Sequence, residues 1–368
     1  MKTACIFTFH NVPNYGAVLQ TYALSHYVKQ KLGYHVDIMD YQCVGNGCEF
    51  APEEYIKKLV SSRKKLLSIY KKIMVSRNFK RDYEEKFYKF QQFKKNQLSE
   101  VPYNKKYEYD AVILGSDQIW NPEITGGFQP EFFGQSDLVR STVKVAYAAS
   151  CGDISKQTES QKAEMIKYVK VLDYIGVREK SLSDFLDAQG FKNTCTLDPT
   201  FLLSSDEYND LIPDGSNKEK PYLLVYELQK SEDLERIAFK IANENGLAVK
   251  ILTGYASYIK KKSYEINNAG PIEFLSLIKN ADYVLTNSFH GTAFSLIYRK
   301  SFNVVLPKTR TSRIVDLLKV IGLENRIADG KTLNFEPINY DLTADTLQEL
   351  TEHSKRYLQK ALGGAQIE

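Results

Sequence analysis

Short apolar runs alternate with segments of helical periodicity along the first half of the chain. Buried strands are predicted at residues 4–9, 36–39, 111–114, 143–148, 174–177 and 194–197. Between them, apolar residues recur every three or four positions, as in segments 17–31 and 159–171, which is the spacing of an amphipathic helix. Strands that alternate with helices build parallel sheets covered on both faces. The first half therefore predicts a Rossmann-like α/β domain.

The same alternation restarts after a polar stretch. Residues 204–220 include the turn-forming sequence PDGSN, which predicts a linker. Beyond it, strands are predicted at residues 222–226, 248–252, 283–286 and 302–305, with helical patterns between them. We therefore expect an α/β protein with two Rossmann-like domains facing across a cleft. The predicted domains are residues 1–203 and 221–368, and the second ends in a C-terminal helix.

Composition narrows the class of protein. With 368 residues, 43% of them hydrophobic and 26% charged, the chain can bury the core of two ordinary domains. No run approaches the roughly 18 apolar residues of a membrane span, and the apolar N-terminal run is short for a signal peptide. The five scattered cysteines lack the paired spacing of a zinc site. These features predict a cytoplasmic protein with reduced thiols and no metal ion.

A basic block interrupts the first domain. Residues 55–81 contain ten lysines and arginines and no acidic residue, with apolar residues at helical spacing. We expect a helical insertion at about residues 52–97. A basic amphipathic helix is typical of proteins that bind an anionic membrane surface, which would place the protein peripherally at the inner membrane face. The alternative is a solvated helix that packs its apolar side on the domain. No motif indicates nucleic acid.

Two loops of the first half follow predicted strands and carry polar residues. Parallel sheets bind ligands beyond the carboxyl ends of their strands, so these loops are expected at a cleft. In the first loop Asn14 can cap the following helix, and Gly16 permits close backbone approach. The loop lacks the G-x-G-x-x-G pattern of dinucleotide sites. The second loop places the only tryptophan, Trp120, beside Asp117 and amide side chains, a grouping suited to a sugar, although Trp120 could equally belong to the core.

Two further loops offer charge and a titratable ring. Arg178 ends a predicted strand just before a helix, where a guanidinium can hold a carboxylate or phosphate. A structural pair with Glu179 is the alternative. His290 lies between a predicted strand and a helix that begins with small residues. Imidazole exchanges protons near neutral pH, so His290 is a candidate acid or base at the cleft.

Six short strings, in this order and spacing, resemble the polysaccharide pyruvyl transferase family. They are NYGAVLQ at 14–20, LGSDQIWN at 114–121, YAAS at 147–150, VRE at 177–179, LDPT at 197–200 and SFHGTAF at 288–294. The likeness extends from about residue 4 to about residue 326 and does not include the basic block.

The resemblance implies a GT-B-like pair of domains that needs no metal ion or cofactor. It implies phosphoenolpyruvate as donor and a sugar of a surface polysaccharide precursor as acceptor. By this likeness His290 is catalytic and Arg178 binds the donor. Some members carry an arginine where this chain has Ser288. We expect Arg310 or Arg313 to supply that contact.

Ketal formation requires a cationic cradle, a proton donor and a base. We expect Ser288, Gly291 and Thr292 to help hold the donor, with the amides of Gly291 and Thr292 directed at phosphate. Asp117 is the candidate base. The residues expected on the acceptor side are Asn14, Tyr15, Gln118, Trp120 and Asn121. The basic block makes a lipid-linked acceptor plausible.

Two other functions fit the same sequence. The first is a GT-B glycosyltransferase, which would consume a sugar nucleotide instead of phosphoenolpyruvate. The second is a non-catalytic saccharide-binding protein of polysaccharide assembly, which would bind a glycan without releasing phosphate.

Overall fold

The computed structural model describes residues 1–43, 67–213, 220–254, 262–307, 311–328 and 334–363, apart from the side chains of 67–80. Seven parallel strands form a first sheet in the order β3-β2-β1-β4-β5-β6-β7. They are β1 (Thr3–Phe7), β2 (His35–Asp40), β3 (Glu100–Pro102), β4 (Tyr107–Leu114), β5 (Val139–Ala149), β6 (Tyr174–Val177) and β7 (Thr194–Cys195).

Helices cover this first sheet. They are α1 (Tyr15–Gln30), α2 (Leu67–Gln97), α3 (Pro122–Thr125), α4 (Glu159–Val169), α5 (Lys180–Ala188) and α6 (Ser205–Asn209). Helix α1 begins at Tyr15, two residues before the predicted segment, because the predicted cap Asn14 accepts hydrogen bonds from the amides of Gly16 and Ala17. This cap satisfies donors that have no partner in the helix. Helix α6 occupies part of the stretch predicted as a linker.

A second parallel sheet of six strands follows, in the order β10-β9-β8-β11-β12-β13. Its strands are β8 (Tyr222–Glu227), β9 (Ala248–Thr253), β10 (Glu265–Ile266), β11 (Tyr283–Thr286), β12 (Ser301–Val305) and β13 (Ile327–Ala328). Its helices are α7 (Glu232–Asn245), α8 (Pro271–Asn280), α9 (Phe289–Ile297) and α10 (Ser312–Val320), and α11 (Tyr340–Gly363) ends the described chain.

Both sheets have the doubly wound order, in which the chain reverses its direction of travel across the sheet. The reversal lies between β1 and β4 in the first sheet and between β8 and β11 in the second. Ligands of such sheets bind at this switch point, beyond the carboxyl ends of the strands. The prediction of two Rossmann-like, GT-B-like parallel sheets is confirmed, and the sequence pattern missed only short edge strands such as β3 and β13.

Aromatic side chains fill the contact between the two units. The ring of Tyr15, at the start of α1, stacks on Phe274 of α8 with centroids 4.8 Å apart. Its hydroxyl donates to the carbonyl oxygen of Ala269 at 2.9 Å. One apolar cluster therefore runs through both units, and burial of this surface holds the two sheets together.

Helix α11 follows the second sheet in sequence but packs on the first. The Tyr357 hydroxyl donates to the carbonyl oxygen of Ala146 at 2.8 Å, and the Ser354 hydroxyl accepts the amide of Leu197 at 2.9 Å. The C-terminal helix predicted as part of the second domain thus crosses back over the first sheet, where it closes the same apolar cluster.

The described end of the insertion helix α2 packs on the protein through its apolar side. Phe90 and Phe93 are buried, with ring centroids 5.2 Å from Tyr15 and 5.8 Å from Tyr22 respectively. Most side chains of the basic block at 55–81 lie outside the described residues, so its membrane contact stays a prediction. Among the described residues, no helix combines the length and apolar character that crossing a membrane requires.

Lys86 is an unusual part of this packing because it is a buried cation. Its ammonium lies 4.8 Å from the ring centroid of Tyr15 and 5.9 Å from that of Phe90. Its nearest hydrogen-bond acceptor is the carbonyl oxygen of Thr253, at 3.4 Å. No carboxylate of the described residues pairs with it. Burial lowers the pKa of Lys86 to about 8, so folding disfavours its charged form.

We expect the replacement Lys86→Met to stabilise the protein near neutral pH. Below about pH 8 the cation is carried in both the folded and unfolded states, and its burial costs up to about 3 kcal/mol. Between about pH 8 and 10.5 the unfolded chain binds more protons than the folded one, so wild-type stability rises relative to the variant. Urea unfolding at pH 7, 9 and 10 measures the difference. A difference that does not shrink with rising pH would contradict this account, and exposed Lys95→Met is the control.

Candidate functional site

The carboxyl ends of the two sheets meet around four of the residues predicted for the site. Asp117 follows β4, Arg178 follows β6, His290 lies in the first turn of α9, and Arg313 lies in the first turn of α10. They come from both units, and contacts among them and Asp198 cross the gap between the sheets. The cluster is therefore built only when the two units pack together.

Arg178 is the most enclosed cation of the cluster. Its side chain is 4% exposed, and its Nη2 lies 2.6 Å from Oδ2 of Asp198. The same nitrogen donates to the Ser116 hydroxyl. Its Nε and Nη1 atoms have no hydrogen-bond partner among the described residues. Buried guanidinium nitrogens are normally satisfied, so these two donors are available to a bound anion.

Arg313 approaches the same place from the second unit. Its Nη1 lies 3.4 Å from Oδ1 of Asp117. The guanidinium carbons of Arg178 and Arg313 lie 5.3 Å and 5.5 Å from the ring centroid of Phe289, which is cation–π distance. Burial and the nearby Arg178 lower the pKa of Arg313. Two cations gathered on one ring repel each other, and an anion between them would relieve the repulsion.

Asp198 joins the cations to the histidine. Its Oδ2 lies 2.6 Å from Nη2 of Arg178 and 3.6 Å from Nε2 of His290. Its Oδ1 accepts the amide and hydroxyl of Thr200 at 2.9 and 2.8 Å. Burial alone would raise the pKa of Asp198, but Arg178 and His290 hold it well below its usual range. This carboxylate was not predicted as a site residue, although it belongs to one of the strings that carry the family resemblance.

The imidazole of His290 rests directly on the backbone of Gly16. A Cβ atom added to Gly16 would stand 2.0 Å from Nδ1 of His290, far inside van der Waals contact. The ring is mostly buried and lies between the start of α1 and Asp198. The close backbone approach that Gly16 permits is therefore used by the His290 side chain of the second unit and not by a ligand.

Asp117 has an uncommon backbone conformation for a residue other than glycine. Its φ is +69°, a left-handed conformation in which aspartate is among the tolerated residues. Its Oδ1 accepts the amide of Gln118 at 2.9 Å. Burial would raise the pKa of Asp117, but Arg313, Arg178 and His290 together hold it below its usual value. The carboxylate is therefore ionised near neutral pH.

Glu179 is a second buried acid that sequence reasoning treated only as a possible partner of Arg178. Its Oε1 accepts from the Ser150 hydroxyl, and its Oε2 has no hydrogen-bond partner among the described residues. Burial raises the pKa of Glu179. Arg178 instead pairs with Asp198, so the structure contradicts the alternative of a simple pair between adjacent residues.

The predicted phosphate contact of the Gly291 and Thr292 amides is wrong. The amide of Gly291 donates to the Ser288 hydroxyl at 3.4 Å, and that of Thr292 donates to the Ser288 carbonyl at 3.0 Å. Ser288 thus caps α9, and its hydroxyl is occupied by the Gly291 amide instead of a ligand. The amides of Phe289 and His290 occupy the first helical positions, which have no acceptor within the helix.

Two residues predicted for the acceptor side belong to the interior. Trp120 is fully buried, stacks on Phe133 at 5.0 Å and donates its indole N–H to the Phe132 carbonyl oxygen at 2.9 Å. Tyr15 is equally buried in the contact between the units. Neither ring can stack on a sugar in the cleft, and both predictions are corrected.

The amide side chains predicted beside them shape their own loops. Asn14 caps α1, and Asn121 caps α3 by accepting the amide of Glu123 at 3.0 Å. Gln118 is buried and accepts from Asn121 at 2.7 Å. Their acceptor role stays a prediction. Arg310 lies outside the described residues, so only Arg313 is brought to the cluster.

The described residues contain no group of three His, Cys, Asp or Glu side chains placed to hold a metal ion. Cys5, Cys43 and Cys151 are buried and Cys195 is exposed. The cluster itself brings together two arginines (Arg178 and Arg313), two carboxylates (Asp117 and Asp198) and the imidazole of His290.

Comparison with solved structures finds distant likeness over most of the chain. The Staphylococcus aureus MnaA–UDP structure matches with 12% identity and a TM-score of 0.47, over 96% of this chain and 91% of that one. UDP-GlcNAc 2-epimerase from Methanocaldococcus jannaschii matches with 11% identity and a TM-score of 0.46, over 99% and 100%. The E. coli heptosyltransferase WaaC with ADP-2-deoxy-2-fluoro heptose matches with 12% identity and a TM-score of 0.38, over 83% and 89%.

No curated protein matches the chain. The model of one protein family does match, over residues 14–308, a span that includes every residue of the cluster except Arg313. The match begins at Asn14, the cap of α1, and continues past the end of β12. It covers well over half of the sequence, so this chain belongs to the polysaccharide pyruvyl transferase family.

Proposed function

We propose that the protein transfers pyruvate from phosphoenolpyruvate to a sugar of a surface polysaccharide precursor and forms a pyruvate ketal. The observation that carries the proposal is the pair of largely enclosed arginines on Phe289, one of which has two donors without a partner among the described residues. Phosphoenolpyruvate presents a carboxylate and a phosphate on a three-carbon frame. A small, doubly anionic molecule is the kind of ligand that two adjacent guanidinium groups select.

The reaction needs proton transfer at defined atoms. A proton adds to C3 of the enol, which leaves an oxocarbenium-like centre at C2. One sugar hydroxyl attacks C2 and loses its proton, phosphate departs, and a second hydroxyl closes the ketal ring. One phosphoenolpyruvate and one diol thus give one ketal and one phosphate. The arginines stabilise the carboxylate throughout and the phosphate as its charge grows.

We assign proton donation to His290 and orientation of that ring to Asp198. The Asp198 carboxylate lies 3.6 Å from Nε2, close enough to orient the ring, which gives its proton to C3 or to the departing phosphate. Asp117 is the base for the acceptor hydroxyl. Its lowered pKa makes it a weak base, which suffices because the hydroxyl becomes acidic as it bonds to C2.

Phosphate release from phosphoenolpyruvate, measured against galactose- and mannose-containing acceptors, tests the proposal. Acceptor-dependent release with formation of a ketal is the expected result, and the His290→Ala protein is the negative control. Calorimetry tests donor binding without any acceptor. Failure of phosphoenolpyruvate to bind would contradict the proposal. Turnover of a sugar nucleotide would favour glycosyl transfer, and glycan binding without phosphate release would favour a non-catalytic assembly protein.

A further inference from the structure

A groove between the insertion helix α2 and helix α8 lies outside the cluster described above. Its volume is 570 Å³, within the range of small-molecule sites in proteins. Phe93 of α2, Pro271 and Ile272 of α8, and Ile212 and Pro213 of the connecting segment form its apolar lining. The groove thus joins parts of the chain that are distant in sequence.

The edge of the groove carries an exposed aromatic ring and unused amides. Tyr88, Gln92 and Asn96 follow each other at four-residue spacing on α2 and so share one face. Tyr88 is 62% exposed. The carboxamides of Gln92, Asn96 and Gln97 have no hydrogen-bond partner among the described residues. An open ring beside free donors and acceptors is suited to a ligand with both apolar faces and hydroxyl groups.

The charges at the groove cancel each other. Lys89 and Glu273 are the charged residues of its lining, and they pair at 2.8 Å between Nζ and Oε1. Lys89 also pairs with Glu85 at 3.0 Å. Among the described residues of the lining, no unpaired charge is left for a nucleotide, a phosphate or an anionic lipid, so this part of the groove favours a neutral ligand.

A short series of contacts connects the groove with the imidazole site. A Cβ atom on Gly270 would stand 2.6 Å from Cβ of Lys89, so α2 packs directly against this loop from the groove side. The residue before Gly270 in this loop, Ala269, accepts the Tyr15 hydroxyl through its carbonyl oxygen. Tyr15 precedes Gly16, on which the His290 ring rests. These contacts link the groove to the imidazole site, although the groove lining contains no residue of the cluster.

We propose that this groove binds a neutral oligosaccharide segment of the acceptor glycan, away from the sugar that is modified. The inference rests on the proposed function, since it assigns a second contact to the same acceptor. Sugar rings present C–H faces to Tyr88 and the apolar floor, while their hydroxyls hydrogen-bond to the carboxamides. The groove then selects polymeric acceptors over single sugars.

Titration calorimetry of the full protein with neutral tetrasaccharides of glucose, mannose and galactose tests the groove directly. We expect at least one to bind, and the replacement Tyr88→Ala to weaken that binding at least about fivefold. Tyr88→Phe keeps the ring and is expected to bind as the wild type does. Leu342→Ala, at an exposed site on α11, is the matched surface control. No binding by any of the three tetrasaccharides, or equal binding by Tyr88→Ala, would overturn the inference.

A kinetic comparison separates this inference from the proposed function. With phosphoenolpyruvate as donor, Tyr88→Ala should raise KM for a tetrasaccharide acceptor at least about fivefold, as it weakens binding. It should leave KM and kcat for a monosaccharide acceptor unchanged. Unchanged KM for the longer acceptor would refute the groove while leaving pyruvyl transfer intact. Absence of transfer in the wild type would refute the proposed function, and calorimetry would still decide the groove.

Discussion

Replacing His290 by alanine is expected to lower turnover by about 10² to 10⁴-fold, the range for loss of a positioned general acid. The protein should still fold, because the ring lies at the gap between the units and is not part of an apolar cluster. Phosphate release from phosphoenolpyruvate measures the activity, and circular dichroism checks the fold. Unchanged turnover in the variant would refute the assignment of His290.

The contact with Gly16 provides an independent test of the same ring. In Gly16→Ala the new methyl group would occupy the space of the imidazole, which must leave its present position and so lose its present geometry relative to Asp198. Overpacking of this kind costs about 1–3 kcal/mol of stability. Activity should fall nearly as far as in His290→Ala. Adding Gly16→Ala to His290→Ala should lower activity little further, because both replacements remove the same ring from its place.

Ala17→Gly is a useful comparison for the first loop. It changes a buried residue of the same helix turn without adding an atom near His290, and its cost should be mainly the roughly 1 kcal/mol of glycine in a helix. Turnover near the wild-type rate in Ala17→Gly, with loss in Gly16→Ala, would place the effect at the imidazole. Similar loss in both variants would indicate that the helix start itself is sensitive.

The sequence pattern predicted the sheets well because local periodicity reports which faces are buried. The strands at 111–114 and 283–286 are short, mainly apolar runs, and both became central strands, β4 and β11. Chemistry-bearing residues that directly follow such strands, Asp117 and Arg178, were therefore brought together as the topology requires.

Residues whose placement depends on distant contacts were harder to predict. The local sequence around Trp120 fits a ring that lines a cleft as well as a ring in the core. Only the stacking of Trp120 on Phe133, seen in the structure, shows that it belongs to the core. The role of Asp198 depends on Arg178 and His290, which lie on different units. The use of the Gly291 amide by Ser288 was predictable, since serine three residues before an amide is an ordinary helix cap.

Removing Arg178 should destabilise the protein as well as abolish donor binding. In Arg178→Met the buried carboxylate of Asp198 loses its closest counter-charge. Breaking a buried ion pair by deleting one partner typically costs about 3–5 kcal/mol. Urea unfolding near pH 7 measures this loss, and calorimetry measures phosphoenolpyruvate binding. The exposed pair of Arg299 and Asp341 is the matched control, and Arg299→Met should change stability by less than about 1 kcal/mol.

A double variant separates charge from shape. Asp198→Asn removes the carboxylate charge but keeps an oxygen that can accept the Thr200 amide. In Arg178→Met combined with Asp198→Asn no buried charge is left unpaired at this position, so most of the lost stability should return. Donor binding should not return, since the guanidinium is still missing. Recovery of binding would refute the role of Arg178, whereas failure to recover stability would show that Arg178 supports the fold through its packing and not through the ion pair.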